Sequence, residues 1–254
     1  LQRLIRELSV WHGLSHPNIL PLYGITENFG PLYSMVCPWV ASGTLTCYLK
    51  SYITMSQRIG LAYDVAAGLR YLHSKEFVHG DISGSNVLIL ASGEACLSDF
   101  GLSRTVTDLF GQSASSSRGY ATVRWADPVL CQLEGPHVRP SNSTDIYSLG
   151  SITLQVLSAK LPFARYKRDS SVLVPMSKNE KPGRRDDFVH IDHHLWDFME
   201  RCWSTTTARP TAQEAEEGLW GQLAADDHRK LPGVRGTEVY LPCGSSPHFF
   251  IGFF

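Results

Sequence analysis

The sequence lacks an excess of charge of either sign. Its 254 residues include 23 Lys and Arg against 24 Asp and Glu, which gives a formal net charge of −1. Binding to nucleic acid or to an anionic membrane surface depends on a surplus of basic side chains, so this balance argues against both as the main partner. The function must therefore reside in local motifs rather than in bulk charge.

Paired cysteine motifs are missing as well. The six cysteines are scattered and form no C-x-x-C pair, a pattern that is typical of reduced thiols in a cytoplasmic protein and not of a disulfide framework or a structural zinc site. No apolar run reaches the roughly 18 residues that a membrane-spanning helix needs, and no signal peptide is visible at the start. We therefore expect a cytoplasmic protein without a membrane span.

Hydrophobic periodicity predicts a short β-rich region that is followed by a longer helical one. Residues 2–12 have helical spacing, whereas residues 19–24 and 32–37 are typical of strands. A hairpin is predicted around residues 92–93, and the helical pattern fades beyond about Ala225. The remaining predicted helices are residues 44–50, 55–74, 143–158, 195–202 and 211–223.

The most informative pattern is a pair of motifs in the first half of the chain. Residues 79–86 read H-G-D-I-S-G-S-N, and residues 98–101 read S-D-F-G. Protein kinases carry H-R-D-L-x-x-x-N followed by D-F-G, so the order and the gaps match, whereas the second position does not. A lone D-F-G means little, but both motifs in order are specific. The chain therefore resembles the catalytic region of a protein kinase, in particular the Ser/Thr enzymes of the tyrosine-kinase-like group.

This resemblance implies an α+β, protein-kinase-like fold with a truncated N-lobe and a mainly helical C-lobe. The domain would cover residues 1–222, with a partial N-lobe in 1–40 (helix αC and about two strands) and the C-lobe in 41–222. Residues 223–254 are predicted to be an irregular tail, whose apolar end either docks on the domain or is a remnant of truncation. The family's glycine-rich loop and β3 lysine have no counterpart, so we expect either a fragment or a shortened N-lobe, with little activity of its own.

Three oxygen-bearing side chains match the family's catalytic positions. The resemblance assigns Asp81 to orienting the substrate hydroxyl, and Asn86 and Asp99 to holding Mg²⁺, which prefers hard oxygen ligands. It implies ATP and Mg²⁺ as cofactors and phosphoryl transfer to Ser or Thr of a protein substrate in signal transduction. Taken singly, the three residues could equally be a turn residue, a helix or strand cap and a strand-end turn.

The resemblance also places a nucleotide-base pocket. Cys37 would occupy the gatekeeper position, the backbone around Pro38 and Val40 would face the adenine edge, and Leu88 would lie beneath the ring. The alternative is an ordinary strand that is followed by a loop.

Five further residues match structural positions of the family. Glu7 would pair with the β3 lysine, although it could also be an exposed helix carboxylate. His79 would hold the catalytic loop by packing and hydrogen bonding, and Phe100 would pack against the first helix. Asp145 would brace this loop through backbone N–H groups, and Arg209 would pair with the glutamate of the family's A-P-E motif.

Residues 121–125, A-T-V-R-W, are similar to the G-T-x-R-W run of tyrosine-kinase-like enzymes, in which the threonine indicates a Ser/Thr substrate. Three positions nevertheless depart from the pattern. Gly80 replaces the arginine of H-R-D, Ser83 replaces a lysine that neutralises γ-phosphate charge, and Val129 replaces the glutamate of A-P-E. These departures leave a pseudokinase, acting as a protein-binding or scaffolding module, as the alternative to an active enzyme.

A buried Arg209 without its glutamate would be costly, so we expect it to reach Asp127 or Glu134 or to be solvated.

A rival metal site could be formed by His190, His193, His194 and Cys202 if they met on a helix, but exposed imidazoles at a polar helix start are the favoured interpretation.

Overall fold

Two small antiparallel sheets stand beside a body of helices. The computed structural model describes residues 8, 11–26, 34–100, 122–131, 138–229 and 249–253. In the first sheet the strand order is β1-β2-β5, and the second sheet is the hairpin β3-β4. The strands are β1 (Gly24–Thr26), β2 (Ser34–Pro38), β3 (Val87–Ile89), β4 (Ala95–Leu97) and β5 (Phe249–Phe253).

The helical body follows the first sheet in the sequence. Among the residues described, no helix combines the length and the apolar character that a bilayer crossing requires. The helices are α1 (Leu45–Tyr48), α2 (Met55–Ser74), α3 (Asn142–Ser158), α4 (Leu173–Ser177), α5 (His193–Cys202) and α6 (Ala212–Arg229). Single 3₁₀ turns lie at Pro128–Cys131, Asp169–Val172 and Arg185–Phe188.

Helix α3 is the centre of the body. Every residue from Thr144 to Leu157 is buried, which is the pattern of a helix that is surrounded by protein on all sides. The hydroxyls of Ser151 and Thr153 donate to the carbonyl groups four residues earlier, so these polar side chains are satisfied inside the core. Helices α2 and α5 both pack against α3, and α6 packs against α2 and α5.

Helix α2 has the predicted bounds because both its ends and its apolar face are encoded locally. Thr54 caps the first turn by accepting from the Gln57 N–H, while the Gln57 side chain accepts from the Thr54 N–H. Its buried side includes Ile59, Val65 and Leu72. This side packs against α3, α6 and β4.

The observed boundaries differ from the predicted ones at both ends of the chain. The first strand is Gly24–Thr26 rather than residues 19–24, because Ile19 instead forms an isolated bridge to Leu97 of the second sheet. Helix α6 continues to Arg229, beyond the predicted start of the irregular tail at residue 223, since the alanines that follow favour helix. The last apolar residues form β5 and are not irregular. Most of the helix predicted at residues 2–12 lies outside the described residues.

Two glycines of α2 provide a matched test of this packing. A Cβ built on Gly68 would lie 2.7 Å from the carbonyl oxygen of Asn18, whereas one on Gly60 would meet nothing within 4 Å. Gly60→Ala should raise the free energy of unfolding by about 1 kcal/mol, because Ala favours helix. Gly68→Ala should lower it by about 1–3 kcal/mol, because the backbone near Asn18 would have to move. Urea denaturation of both variants checks this, and stabilisation by both would contradict the close approach.

Candidate active site

A buried carboxylate of α3 holds the loop that precedes β3. Asp145 is 1% exposed, and its two oxygens accept from the backbone N–H groups of His79 and Gly80, each at 2.8 Å. His73 Nε2 lies 2.9 Å from the same carboxylate. The backbone hydrogen bonds expected of Asp145 are therefore present, and they fix the loop to the most buried helix of the domain.

Gly80 has a backbone φ of 78°, in the left-handed region that favours glycine. The residue that replaces the arginine of H-R-D is thus compatible with the loop conformation that Asp145 imposes. This conformational demand gives the substitution a physical reason, which the motif comparison alone did not provide.

Two of the predicted catalytic side chains are in direct contact. Asn86 Nδ2 donates to the Asp81 carbonyl oxygen at 2.8 Å and to Asp81 Oδ2 at 3.0 Å. The nitrogen of the amide is therefore committed to Asp81, and the amide oxygen is the atom that could serve as a metal ligand. The bond also orients the Asp81 carboxylate.

Asp99 is brought to the same end of the β3-β4 hairpin as Asn86. Val87 pairs with Leu97, and the N–H of Ser98 donates to the Asn86 carbonyl at 2.9 Å, so Asp99 follows directly after a residue that is bonded to Asn86. Its φ is 56°, an uncommon conformation for a residue other than glycine and one that is often found at functional sites. Carboxylate and amide oxygens form a donor set that fits Mg²⁺.

A cavity of about 250 Å³ opens beside Asp99. Its lining combines β2, the segment after β2, and β3. All four residues predicted for the base pocket contact it, namely Cys37, Pro38, Val40 and Leu88. Trp11, Leu20 and Met35 also line the cavity, although no sequence motif predicted this. For Trp11, the sequence signal that could have indicated it was its position on the apolar face of the first predicted helix.

Burial sets the ionisation of two groups at this site. It raises the pKa of the Cys37 thiol to about 12, and the nearby Asp99 carboxylate acts in the same direction, so Cys37 stays a neutral side chain in the cavity wall. Burial lowers the pKa of His79 to about 4, although Asp145 partly opposes this. A neutral, fully buried His79 suits packing rather than proton transfer.

Phe100 packs against Trp11, in the first helical segment, and beside His79. It is 1% exposed, and its ring centroid lies 4.5 Å from that of Trp11 and 5.9 Å from that of His79. Glu7, the predicted partner of the β3 lysine, lies outside the described residues.

Arg209 pairs with Asp127 in place of the family's glutamate. Its guanidinium donates to the Asp127 carboxylate and to the Ser143 carbonyl, and both charged side chains are almost completely buried. Asp127 is thus the partner among the two anticipated carboxylates, while Glu134 lies outside the described residues. The loss at Val129 is compensated by an acid two positions earlier, which is one of the carboxylates that we expected Arg209 to reach.

Another contact network was not anticipated from the sequence. Gln155 is 2% exposed, and its side chain accepts from Trp125 Nε1 at 2.9 Å and donates to Thr46 Oγ1 at 3.0 Å. Arg124, from the same short segment as Trp125, is 3% exposed and donates to three backbone carbonyls of residues 162–166. The A-T-V-R-W run that resembles the family's G-T-x-R-W motif is therefore fixed to the helical body through Arg124 and Trp125.

The rival metal constellation is not assembled. Cys202 is buried at the end of α5, whereas His193 and His194 are exposed at its start, about 13 Å away along the helix. His193 and His194 do lie near Asp192, but this group is on the surface. The rival set of three imidazoles and one thiol therefore does not share a single site.

Comparison with known proteins gives the family. The family model described as "Protein tyrosine and serine/threonine kinase" matches residues 1–219. This chain belongs to the protein kinase family. The predicted family and the kinase-like α+β fold are thereby confirmed, with a small sheet region and a mainly helical C-lobe.

The domain is similar to kinases of both substrate types. It is 30% identical over 218 residues to the yeast (Saccharomyces cerevisiae) serine/threonine-protein kinase BCK1/SLK1/SSP31. The aligned region covers 84% of this chain and 14% of that protein. It is 28% identical to mitogen-activated protein kinase kinase kinase 3 of Arabidopsis thaliana, over 85% of this chain and 34% of that protein. It is 29% identical to the mouse (Mus musculus) cytoplasmic tyrosine-protein kinase BMX, over 79% and 30% respectively. The chain thus spans at most about a third of these relatives.

The buried Asp127–Arg209 pair gives a stability prediction. Asp127→Asn should lower the free energy of unfolding by about 3–5 kcal/mol, because it leaves a buried guanidinium without a counter-charge. The matched control is Glu200→Gln in the exposed Lys181–Glu200 pair, which should cost less than about 1 kcal/mol. Denaturant titration measures both; equal effects would show that Arg209 does not depend on Asp127.

The kinase domain should also show a pH signature at His79. The folded-state pKa of about 4 lies below the ordinary value of 6.5, so the unfolded chain binds the proton first as the pH falls. The contribution of neutral His79 to stability should therefore be complete above pH 6.5 and be lost as the pH falls toward 4. NMR titration of its imidazole in the folded domain measures this, and protonation near pH 6.5 would contradict it.

Proposed function

We propose that this kinase domain binds Mg·ATP in the cavity beside Asp99 and that the protein to which it belongs transfers the γ-phosphoryl group to Ser or Thr of protein substrates. The observation that carries this proposal is the arrangement of the cavity. One wall consists of the strand and linker residues expected at the base pocket, and Asp99 also lines it. The hydrogen-bonded pair Asp81 and Asn86 stands at the same end of the hairpin as Asp99.

Each side chain then has a separate task. Asp81 would accept the hydrogen bond of the substrate hydroxyl and orient it, while its own position is held by Asn86 Nδ2 at 3.0 Å. Asn86 and Asp99 would hold Mg²⁺, which when bound neutralises charge on the phosphates. Asp145 acts at a distance, because it fixes the backbone of the loop that carries Asp81. Phosphoryl transfer requires mostly such positioning.

The apolar part of the cavity suits a planar base. Cys37 is small, buried and neutral, so it places no charge against a ring system. Leu88 contributes an apolar contact from the hairpin, and the residues around Pro38 and Val40 would present backbone groups to the base edge. The uncharged purine ring of a nucleotide fits this apolar wall better than a charged group would.

The substrate type and the setting of the proposed reaction rest on Thr122 and on the names of the relatives. Thr122, in the segment that Arg124 and Trp125 fix to the body, favours Ser/Thr over Tyr. The relatives include proteins named as serine/threonine kinases and one named as a cytoplasmic tyrosine kinase. We place the protein in the cytoplasm, in signal transduction, with protein substrates or signalling partners.

One observation favours a pseudokinase as the second candidate. Ser83 stands where Ser/Thr kinases have a lysine, and it is fully buried, with its Oγ 2.9 Å from Ser85 Oγ. It therefore supplies no cation to the γ-phosphate. Losing one preorganised donor of this kind typically lowers the rate by about 10²–10³-fold. A domain with such a loss could bind nucleotide and protein partners without useful turnover.

The nucleotide proposal is tested by a thermal-shift assay with Mg·ATP. The domain and the control variant Asp197→Asn, which changes an exposed carboxylate of α5, should both rise in Tm, whereas Asp99→Asn should not. An unchanged Tm in the unaltered domain and in both variants would contradict the proposed nucleotide site.

Phosphotransfer to Ser/Thr peptides distinguishes the two candidates. The protein that contains this domain should transfer phosphate, and Asp81→Asn should lower the rate by at least about 100-fold, because an amide oxygen cannot take up the hydroxyl proton as a carboxylate can. A Tm shift together with transfer that is absent, or insensitive to Asp81→Asn, would favour the pseudokinase.

A further inference from the structure

The basic side chains of this chain are concentrated in one stretch of the helical body. Residues 160–185 contain eight Lys and Arg but only two Asp and Glu, which gives this stretch a formal net charge of +6. Because the whole chain carries −1, the other residues together carry −7. The balanced total therefore conceals a strongly basic region, and such a region attracts partners of the opposite charge.

Three cations of the basic stretch are available to a partner. Lys167, Arg168 and Lys178 are exposed, and their side chains form no ion pair or hydrogen bond with any residue that the structure describes. Both acids of the stretch, Asp169 and Glu180, are already paired with arginines. Neither acid therefore neutralises the three exposed cations.

The three cations surround α4. Two of them precede the 3₁₀ turn that leads into this helix, and the third directly follows the helix. The Tyr166 hydroxyl donates to Glu180 Oε2 at 2.8 Å, which brings the two ends of the segment side by side. On α4 itself, Val174 is 61% exposed. We refer to these four exposed side chains as the α4 surface, which consists of Lys167, Arg168, Val174 and Lys178.

The α4 surface is joined to the proposed active site through the A-T-V-R-W run. Thr122 and Ala126 line a small cavity together with Asp81. Val123 lies in a small buried cluster whose other members belong to the basic stretch, namely Phe163, Val172 and Met176. A polypeptide that lies along this run would therefore reach Asp81 on one side and the α4 surface on the other.

We propose that the α4 surface recognises an acidic segment of the protein substrate, with carboxylates opposite its three cations and an apolar side chain on Val174. The proposal rests on the proposed function in taking the bound protein to be a substrate. Three cations around an exposed valine fit a short acidic peptide segment better than the phosphate backbone of a nucleic acid, which commonly engages about six to ten contacts.

The expected size of the effect follows from the exposure of the surface. An exposed ion pair contributes about 1.5- to 5-fold to affinity, so no single pair decides binding. Several such pairs together select between substrates of different charge, and their effect weakens as salt is added.

The test is the binding of two labelled peptides to the whole chain, measured by fluorescence anisotropy. One peptide carries Glu and Asp on both sides of a single Ser, and the other has Gln and Asn at the same positions. The unaltered chain should bind the acidic peptide at least about fivefold more tightly than the amide peptide.

Charge reversal on the α4 surface should remove this preference. Lys167→Glu combined with Lys178→Glu should weaken binding of the acidic peptide at least about tenfold and leave the amide peptide within about twofold, which also verifies that the variant is folded. Substitution of the same two lysines by Gln should cost about threefold, because it removes attraction without adding repulsion.

A matched control makes the same change in net charge elsewhere. Lys75 and Arg139 are exposed near the start of α3, whereas the basic stretch begins after the end of that helix. Lys75→Glu combined with Arg139→Glu should therefore leave the affinity for both peptides within about twofold.

Three results would overturn the proposal. One is equal affinity of the unaltered chain for the two peptides, and another is an equal loss in the two charge-reversal variants, which would indicate bulk charge alone. The third is binding of a single-stranded oligonucleotide or of phosphatidylserine vesicles that is tighter than peptide binding and is abolished by the reversal on the α4 surface, because the partner would then be of another class.

These binding measurements need neither nucleotide nor catalysis. Where phosphotransfer occurs, the reversal on the α4 surface should raise KM for the acidic peptide at least about fivefold and leave kcat within about twofold. The expected binding pattern without any phosphotransfer would contradict the proposed reaction but not the recognition of acidic segments.

Discussion

The arrangement of the site depends on one buried carboxylate. Asp145 lies on a helix that is enclosed by protein on all sides, and it is held there by two backbone N–H donors and by the imidazole of His73. A buried charge is tolerated only when its hydrogen bonds are satisfied, so the loop and the helix stabilise each other. The positions of His79 and Gly80 then determine where Asp81 stands.

From that fixed loop the site extends by short steps. Asn86 contacts Asp81, the Ser98 backbone contacts Asn86, and Asp99 follows Ser98 at the rim of the cavity. The first two steps are hydrogen bonds and the third is a peptide bond, and directional bonds restrict relative orientation more than apolar contacts do. Such a chain of contacts suits a reaction whose barrier is lowered mainly by placing charges and reactants correctly.

The three departures from the family pattern differ in whether the structure compensates for them. The lost glutamate at Val129 is replaced in space by Asp127, so Arg209 keeps a buried counter-charge. Gly80 suits the left-handed backbone of the loop and requires no compensation. Ser83 differs, because it is buried against Ser85 and offers no positive charge where the family has a lysine. Asp127 thus restores the counter-charge of Arg209, whereas Ser83 does not restore the positive charge of the lysine.

The sequence by itself determined the family, the bounds of α2 and the identity of the residues around Asp81 and Asp99, because caps, periodicity and motif spacing are local properties. It missed the bridge of Gln155, the end of α6 and the pairing of β5 with β2, and it left the partner of Arg209 open between Asp127, Glu134 and solvent. Except for the end of α6, these join segments from about 30 to more than 200 residues apart. Only the packed fold decides which distant polar groups and strand edges meet, since many partners are chemically equivalent until burial leaves one within reach.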